Sequence, residues 1–347
     1  MLIYKPDYFD RFRCIAGACP DSCCKEWGVQ VDAASAEYYR SLPGALGNQL
    51  REVLSDEDGE TVMTIIDGRC PMWRTDGLCR IQAELGEQAL CKTCREFPRL
   101  THDYGDFVEL GLELSCPEAA KLILEAAHFD LEIAPQAFPS VTTPVCRLVR
   151  DESCASEPEY DEEAMDVLKS TREIMLSILS DPSRPIGEIL ALGLLYGFQA
   201  QSELDGAEQM PFDRDAALDS VRELAKPGDM QEILDFFLGL ELLTPEWEAL
   251  LRSPAPADWD GRTLALARYL VNRYWLQAVS DYDLYSRVKF IVIACLLCKH
   301  LGGDLLRTAQ LFSKEIENDV DNVEAILDGA YANPAFTDNK LLGILLS

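Results

Sequence analysis

The chain has 347 residues, 48% apolar and 26% charged, a composition typical of a folded globular protein of about two domains. Its formal net charge is −29, which opposes binding to nucleic acid and favours either solubility alone or the approach of a basic protein segment. The longest apolar run, FIVIACLLC at Phe290–Cys298, is far shorter than the roughly 20 residues of a membrane span. We therefore expect neither nucleic acid nor membrane as a partner.

The amino-terminal segment and the cysteine content together bear on the cellular compartment. MLIYKPDYFDRFRC carries acidic and aromatic residues where a secretory signal would have a basic end and a long apolar run. We therefore predict a cytoplasmic location, where thiols stay reduced. In that setting a dense set of cysteines indicates metal binding or redox work rather than a disulfide framework.

The first part of the chain mixes short strand and helix patterns. Cys14–Trp27 is rich in turn-forming residues and is predicted to be a loop. The predicted strands, which alternate or are β-branched, are Gly28–Asp32, Thr61–Ile66 and Asp106–Leu114. The predicted helices are Ala33–Ser41, its continuation after Pro43-Gly44 to Leu54, Ile81–Cys94, and Glu118–Ala127 after Cys116-Pro117.

The second part of the chain follows an acidic stretch, Asp151–Asp166, which we interpret as a linker. Beyond it the apolar spacing is helical throughout. The predicted helices are Met165–Leu179, Pro185–Leu204, Arg214–Ala225, Met230–Leu238, Thr244–Leu251, Arg262–Val279, Tyr282–Leu301, Leu305–Asn318 and Val323–Tyr331. We predict an α+β fold that is mostly α, with a small cysteine-rich metal-binding region at 1–150 and an all-helical region at 165–347.

Nine of the thirteen cysteines fall within the first 116 residues. In chain order they are Cys14, Cys19, Cys23, Cys24, Cys70, Cys79, Cys91, Cys94 and Cys116. Their odd number suits disulfides poorly, so we predict a thiolate metal site, with disulfides and buried unligated thiols as the alternatives. Cys91 and Cys94 have the Cys-x2-Cys spacing that lets two sulfurs reach one ion. The crowding of four cysteines into the short segment Cys14–Cys24 strengthens this prediction.

The identity of the metal depends on the ligand types. The chain has only three histidines, and an all-sulfur site suits zinc or an iron–sulfur cluster. Proline follows Cys19, Cys70 and Cys116, and a Cys-Pro step also ends the bacterial ferredoxin run. One four-iron cluster with spare thiols and two separate metal sites both fit the spacing. A site filled entirely by cysteine also serves as a folding staple without reactivity.

Other residues near the cysteines are candidates for lesser roles. The polar side chains that follow Cys94 could act as polar helpers of the site, support the thiolates or lie at the surface: Arg95, Arg99, His102, Tyr104 and Asp106. Arg95 and Arg99 would share a helical face unless Pro98 breaks the helix. Trp27 and Trp73 are predicted to pack as lids over the metal. Cys295 and Cys298 are predicted to pack in an apolar core, and Cys146 and Cys154 show no partner pattern.

The cysteine segments resemble a known family. RCIAGACPDSCCKEW, RCPMW, GLCRI, LCKTCREFPR and LSCPEAAKL occur in this order within residues 1 to about 125. They are similar to the flagellin lysine-N-methylase family, which lies within a broader set of proteins with a CxxCxxCC zinc- or iron-chelating domain. The resemblance implies transfer of methyl groups from S-adenosylmethionine to lysine side chains of flagellin, with a [4Fe-4S] cluster or, alternatively, zinc. It implies ligation by Cys70, Cys79 and Cys94 with Cys19, Cys23 and Cys24, and extends to Cys14, Cys91 and Cys116.

The motifs of two common methyltransferase classes are missing from the sequence. There is no Gly-rich dinucleotide fingerprint and no alternating βα pattern, so a doubly wound methyltransferase domain is not expected. The CxxxCxxC run of radical S-adenosylmethionine enzymes fails because Glu26 occupies its third position. The sequence therefore names no catalytic or donor-binding residue. A non-catalytic zinc or iron module and an iron–sulfur redox sensor remain the alternatives.

Overall fold

The computed structural model describes residues 2–25, 28–57, 59–126, 131–133 and 160–347. It is 59% helix and 10% strand, with the strands in small sheets, which confirms the prediction of a mostly helical α+β fold. The predictions made for Trp27, Cys146 and Cys154, and for most of the acidic linker, lie outside these residues.

Within the described residues, seven short strands form two sheets. They are β1 (Leu2–Pro6), β2 (Val29–Gln30), β3 (Leu54–Glu57), β4 (Glu60–Met63), β5 (Arg99–Asp103), β6 (Phe107–Leu112) and β7 (Leu131–Ile133). One sheet has the order β5-β6-β1-β7, in which β1 and β6 are parallel and the other pairs are antiparallel. The other has the order β2-β4-β3 and is antiparallel.

The helices carry most of the chain. They are α1 (Ala33–Ser41), α2 (Gly44–Val53), α3 (Arg80–Leu85), α4 (Lys92–Glu96), α5 (Pro117–Leu124), α6 (Glu162–Leu179), α7 (Ile186–Leu204), α8 (Arg214–Leu224), α9 (Met230–Leu238), α10 (Pro245–Arg252), α11 (Thr263–Tyr274), α12 (Leu284–Leu301), α13 (Leu305–Phe312), α14 (Val320–Ala332) and α15 (Asp338–Leu345). A π-helical turn, Ser313–Glu317, continues α13. Side-chain caps begin several helices, as where Asp32 accepts from the Ser35 backbone N–H at 3.0 Å. None of the helices described here is long and apolar enough to cross a membrane.

The predicted helix over Ile81–Cys94 is wrong. Gly86 has a φ of +88°, a left-handed conformation that glycine adopts at little cost, and α3 ends there. The chain restarts as α4, which ends at Glu96, and Arg99 then begins β5. Arg95 and Arg99 therefore do not share a helical face. Strands β1, β3, β5 and β7 and helix α15 were not predicted.

Two hydrophobic clusters fill the interior. The larger is built mainly from α6, α7, α11 and α12, and it also takes in Tyr8, Phe107 and Leu112 from the amino-terminal part. Cys295 and Cys298 belong to this cluster and are buried, which confirms their predicted core packing. The smaller cluster packs β2, α1 and α2 against the cysteine segments and includes Cys70 and Cys91. The division into regions 1–150 and 165–347 stays a prediction.

Candidate metal centre

The cysteines lie in loops and at the starts of helices. Cys19, Cys23 and Cys24 follow a short 3-10 turn, whereas Cys79, Cys91 and Cys116 are the residues that cap α3, α4 and α5. Burial raises the pKa of the Cys79 and Cys116 thiols, and hydrogen bonds from backbone N–H groups of the first helical turn offset only part of that rise. The pKa of Cys91 is lowered, first by its hydrogen bond with Cys94 and then by the backbone. A helix start favours the thiolate for this reason, and thiolates are the form that binds metals.

Backbone contacts hold the two cysteine segments side by side. The Cys70 N–H donates to the Cys24 carbonyl at 2.8 Å, and Lys25 pairs with Arg69 in an antiparallel bridge. A second bridge joins Trp73 to Cys79. The first two contacts bring together residues about 45 positions apart in the sequence.

The thiols form two hydrogen-bonded groups. Cys23 donates to Cys24, which donates to Cys70, and the Cys70 Sγ lies 3.3 Å from the Met63 Sδ. Cys94 donates to Cys91. Electrostatic interactions connect the two groups to each other, because Cys94 interacts with Cys23 and Cys24. They also connect the remaining thiols: Cys79 interacts with Cys23, Cys24 and Cys91. Cys116 and Cys14 each interact with Cys19. The nine predicted ligands therefore occupy one neighbourhood, centred on Cys23 and Cys24.

The pKa values of these thiols are split by their hydrogen bonds. The bond with Cys23 lowers the pKa of Cys24, but the bond with Cys70 and burial outweigh it and raise the value to about 12. Burial raises the pKa of Cys116 to about 12 as well. Cys70 and Cys91 have lowered pKa values, chiefly because each accepts a hydrogen bond from a neighbouring thiol. A bound metal would have to displace the protons that these thiols share.

The described cysteines form no disulfide with one another, and their thiols are not arranged around a common point. All eleven of the described cysteines are free. Within the described ranges, no group of three or more Cys, His, Asp or Glu side chains is positioned to hold a metal ion. The donor chemistry therefore fits a thiolate metal site, whereas the positions of the described side chains do not form one. The predicted ligand set stays a prediction.

One residue of the cysteine loop, Asp21, was missed by the sequence reasoning. Its Oδ2 atom lies 3.3 Å from Arg307 Nη1, 3.4 Å from Lys314 Nζ, and 3.2 Å from the amide nitrogen of Gln310, all on α13 and the π-helical turn. Burial alone would raise its pKa, but Lys314 and the hydrogen bonds bring the value down to about 2. Gln310 also donates to the Ser115 carbonyl at 2.7 Å. We call this group the Asp21 clamp, since it fixes the loop between Cys19 and Cys23 to the helical region.

The polar residues that follow Cys94 do not gather at the thiols as a group. Arg95 acts on the thiols electrostatically, because its charge lowers the pKa of Cys91. Arg99 lies over the Phe12 ring at 5.3 Å, and Asp106 accepts from the Tyr160 hydroxyl at 3.3 Å. The Tyr104 ring stacks between those of Phe107 at 4.9 Å and His102 at 6.5 Å.

Trp73 packs beside the cysteine segments. The Arg69 guanidinium lies 4.4 Å and the Lys25 Nζ 5.4 Å from its ring centroid. These cation–π contacts and the bridge to Cys79 hold the indole next to the thiols. Its predicted role as a lid over a metal remains a prediction.

A second polar site lies between β5, β6 and α11. It contains a cavity of about 30 Å³ lined by residues that include His102, Glu109, Tyr269, Asn272 and Arg273. Two ion pairs border it. Arg172 holds Glu109 through two hydrogen bonds of 2.9 and 2.7 Å, and Arg273 Nε lies 3.1 Å from a carboxylate oxygen of Glu317. Of these five residues, only His102 was singled out from the sequence; Tyr269, Asn272 and Arg273 come from the distant helix α11.

The fold and the site define a mostly helical α+β protein whose amino-terminal part carries a cluster of free thiols. The chain is 33% identical over 132 residues to the flagellar biosynthetic protein FliU of Salmonella muenchen, a match that covers 76% of that protein and 35% of this chain. It is equally similar to the lysine-N-methylases of Salmonella typhimurium and Salmonella choleraesuis. The chain belongs to the flagellin lysine-N-methylase family.

The extent of these matches differs between the relatives. The match covers 32% of the length of the two lysine-N-methylases, so the chain spans about a third of those relatives. No family model matches the chain. No solved structure matches it either.

Proposed function

We propose that the protein transfers methyl groups from S-adenosylmethionine to lysine side chains of flagellin. The observation that carries this proposal is the membership of the family, whose matched relatives are named as lysine-N-methylases and as a flagellar biosynthetic protein. The net charge of −29 is compatible with this function, because an acidic surface attracts a basic, lysine-bearing segment of a protein.

The proposed reaction is a displacement at carbon. The lone pair of the lysine Nε attacks the sulfonium methyl group, a C–N bond forms, the C–S bond breaks, and S-adenosylhomocysteine leaves with the electron pair. The reference pKa of the lysine ammonium is about 10.4, so the amine must lose a proton before attack. Burial and neighbouring cations favour the neutral amine, and orientation of the two reactants supplies much of the rate.

The family also implies a metal group, which we propose is a [4Fe-4S] cluster, with zinc as the alternative. The all-sulfur donor set is compatible with either. The residues that would hold it come from the nine thiols centred on Cys23 and Cys24. When bound, the metal group would supply cross-links between the two cysteine segments. The displacement itself needs no change of oxidation state.

Co-expression with flagellin tests the proposed activity. We expect intact-mass spectra of flagellin to gain whole methyl groups, and peptide spectra to place them on lysines. The test variant is Cys23→Ser, which changes the centre of the thiol cluster. Its matched control is Glu84→Gln, which changes an exposed residue of α3. Flagellin that has the same mass with and without this protein would refute the substrate assignment.

A non-catalytic metal-binding module is the second candidate, and the thiol cluster is the observation that favours it. Iron, sulfide and zinc assays on anaerobically purified protein distinguish the metals. Retention of labelled S-adenosylmethionine by the purified protein distinguishes the functions, because a module without a donor site would retain none. A third candidate, a redox sensor, requires that oxidation of the metal group change the affinity for a partner.

A further inference from the structure

Three exposed aromatic side chains lie where α7 and α14 pack against the start of α12. Phe198 on α7 is 61% exposed, Tyr331 on α14 is 63% exposed, and Tyr282 in the loop before α12 is 43% exposed. The Phe198 ring packs edge-on against the Tyr285 ring at 5.8 Å, and Tyr285 interacts electrostatically with Tyr331. The Tyr331 hydroxyl also donates to Asp283, the neighbour of Tyr282, at 2.7 Å. We call this surface the aromatic face. Exposed apolar groups that lie together on a soluble protein mark a contact surface.

The loop that presents Tyr282 is fixed by α7. Tyr282 has a φ of +59°, a left-handed conformation that is unfavourable for a residue with a bulky side chain. The Gln201 amide nitrogen donates to the Tyr282 carbonyl at 2.9 Å. The Gln201 amide oxygen accepts from the backbone N–H groups of Leu284 and Tyr285 at 2.8 and 2.9 Å. The structure therefore holds an exposed ring in an unfavourable backbone conformation, as is typical of functional surfaces.

The segments that form the aromatic face carry acidic groups and no basic ones. Residues 186–206, 280–286 and 320–332 contain no lysine or arginine. Asp205, which follows α7, is exposed. Partial burial, the hydrogen bond to Asp283 and the charge of Asp205 raise the pKa of Tyr331. The surroundings of the Tyr331 ring are therefore negative.

Helix α14 extends this negative surface. Glu324, Asp328 and Tyr331 are exposed and follow one another at spacings of four and three residues, so they lie on one side of the helix. Like charges four residues apart destabilise a helix slightly. Within the described ranges, neither Glu324 nor Asp328 forms an ion pair with a basic side chain. A cation supplied by a partner would relieve this repulsion.

The two basic side chains of α12 next to the face are already paired. Arg287 lies 2.7 Å from Asp281, and Lys289 lies 2.9 Å from Asp338. Both basic side chains are buried. Neither of them therefore offers its charge to a partner at the surface.

Charge complementarity selects the partner. A second copy of the chain that docked through the same face would place acid against acid. Nucleic acid and anionic lipid would be repelled for the same reason. A protein segment with lysine or arginine side chains would be attracted by the carboxylates, and its cations bind favourably over the faces of exposed aromatic rings.

We propose that the aromatic face docks a basic, lysine-bearing segment of a partner protein, and that this partner is the protein substrate. The identity of the partner rests on the proposed function. The face supplies ion pairs and cation–π contacts and takes no part in the displacement. Contacts of this kind stabilise the bound substrate and the transition state equally, so they lower KM and leave kcat unchanged.

Binding of a basic peptide to the full chain tests the docking surface without any methyl transfer. The probe is a fluorescently labelled peptide of alternating lysine and serine, and its binding is measured by fluorescence anisotropy. We expect binding at about 50 mM salt and a clear loss of affinity at about 500 mM, because salt screens charges at the surface. A peptide of alternating glutamate and serine should not bind.

Variants on α14 distinguish this face from the acidic surface in general. Glu324→Gln combined with Asp328→Asn removes two exposed charges and should weaken peptide binding about threefold to tenfold, the effect of two surface ion pairs. The matched control is Glu37→Gln combined with Glu52→Gln, which removes two exposed charges from α1 and α2. The control should bind the peptide like the wild type.

The aromatic contribution has its own pair of variants. Tyr331→Ala should weaken peptide binding about threefold, the effect of one exposed cation–π contact. Tyr331→Phe keeps the ring and should bind like the wild type. Tyr38→Ala on α1, where the tyrosine is also exposed, is the matched control and should have no effect.

The docking surface is overturned if the α14 double variant binds the peptide as tightly as its control, because the attraction would then be spread over the whole acidic protein. It is also overturned if Tyr331→Ala binds like Tyr38→Ala. With flagellin as the substrate, the α14 double variant should raise KM about threefold to tenfold and leave kcat unchanged. If flagellin is methylated with an unchanged KM, the assignment of the partner falls and the proposed function stands. If the peptide binds as expected while the wild type never methylates flagellin, the docking surface stands and the proposed function falls.

Discussion

From the Asp21 clamp we predict that a single loop residue stabilises the contact between the cysteine loop and the helical region. Its side chain is 8% exposed and that of Lys314 is 6% exposed, so the Asp21→Asn variant removes a charge that faces a buried lysine. The lowering of the Asp21 pKa from 3.8 to about 2 corresponds to about 2 kcal/mol before solvent screening. Because Arg307 is 41% exposed, we expect a loss of about 1 to 2 kcal/mol in the free energy of unfolding.

Urea unfolding followed by tryptophan fluorescence measures this loss. Asp76→Asn is the matched control, since Asp76 also pairs with an arginine, at 2.6 Å, but both side chains are 43% exposed. That variant should stay within about 0.5 kcal/mol of the wild type. The second readout is the rate at which a thiol reagent labels Cys19 and Cys23, which should rise when the clamp no longer holds their loop.

Two results would refute the clamp. One is an Asp21→Asn variant as stable as Asp76→Asn, which would mean that the contacts are compensated by solvent. The other is an additive double-mutant cycle with Lys314→Met, because residues in one buried network should show a coupling energy of at least about 0.5 kcal/mol. If the double-mutant cycle shows coupling but the labelling rate of Cys19 and Cys23 is unchanged, the clamp contributes to stability and does not hold the cysteine loop in place.

Three further predictions concern the second polar site and the chain turn at Gly86. In the unfolded chain His102 binds a proton below its usual pKa of 6.5, whereas in the folded chain it does so only near pH 4. The free energy of unfolding should therefore fall by about 3 kcal/mol as the pH drops between these two values. In parallel acid titrations, a His102→Gln variant should lack that share of the loss. The Glu109→Gln variant leaves the buried Arg172 without its carboxylate and should cost about 3 to 5 kcal/mol in urea unfolding, whereas Glu84→Gln, in a more exposed pair, should cost under about 0.5 kcal/mol. Gly86→Ala meets open space around the added Cβ, so its cost, about 1 kcal/mol by thermal unfolding, should come from the φ of +88° alone; a variant as stable as the wild type would contradict that reading.

Local sequence patterns predicted the elements whose signals are local. Helix α1 has the predicted bounds Ala33–Ser41, because apolar periodicity and the cap from Asp32 agree there. Strand β6 was likewise predicted, since its alternation is clean. The helix predicted over Ile81–Cys94 failed because an apolar period alone does not show that Gly86 takes a left-handed conformation.

The two polar sites could be predicted only in part, and the reason is physical. The cysteines predict a thiolate site through their residue type and their crowding, both of which can be read from the sequence directly. The Asp21 clamp depends on Arg307 and Lys314, which are 286 and 293 residues away, and no local pattern marks such a pair. Arg273 and Glu317 look like surface charges on helices, and their burial as a pair depends on how α11 packs against the π-helical turn.

The π-helical turn Ser313–Glu317 connects the two sites. It presents Lys314 to Asp21 in the cysteine loop and Glu317 to Arg273 beside the cavity, and all five of its residues are buried. A π turn spaces side chains differently from an α-helix, and it persists where contacts on several sides over-determine it. Here those contacts are the clamp on one side, the Arg273 pair on another, and Glu315 accepting from the Leu243 N–H at 2.7 Å. A shift of the cysteine loop would therefore act on the same turn that fixes Arg273, so the thiol cluster and the cavity share one structural support.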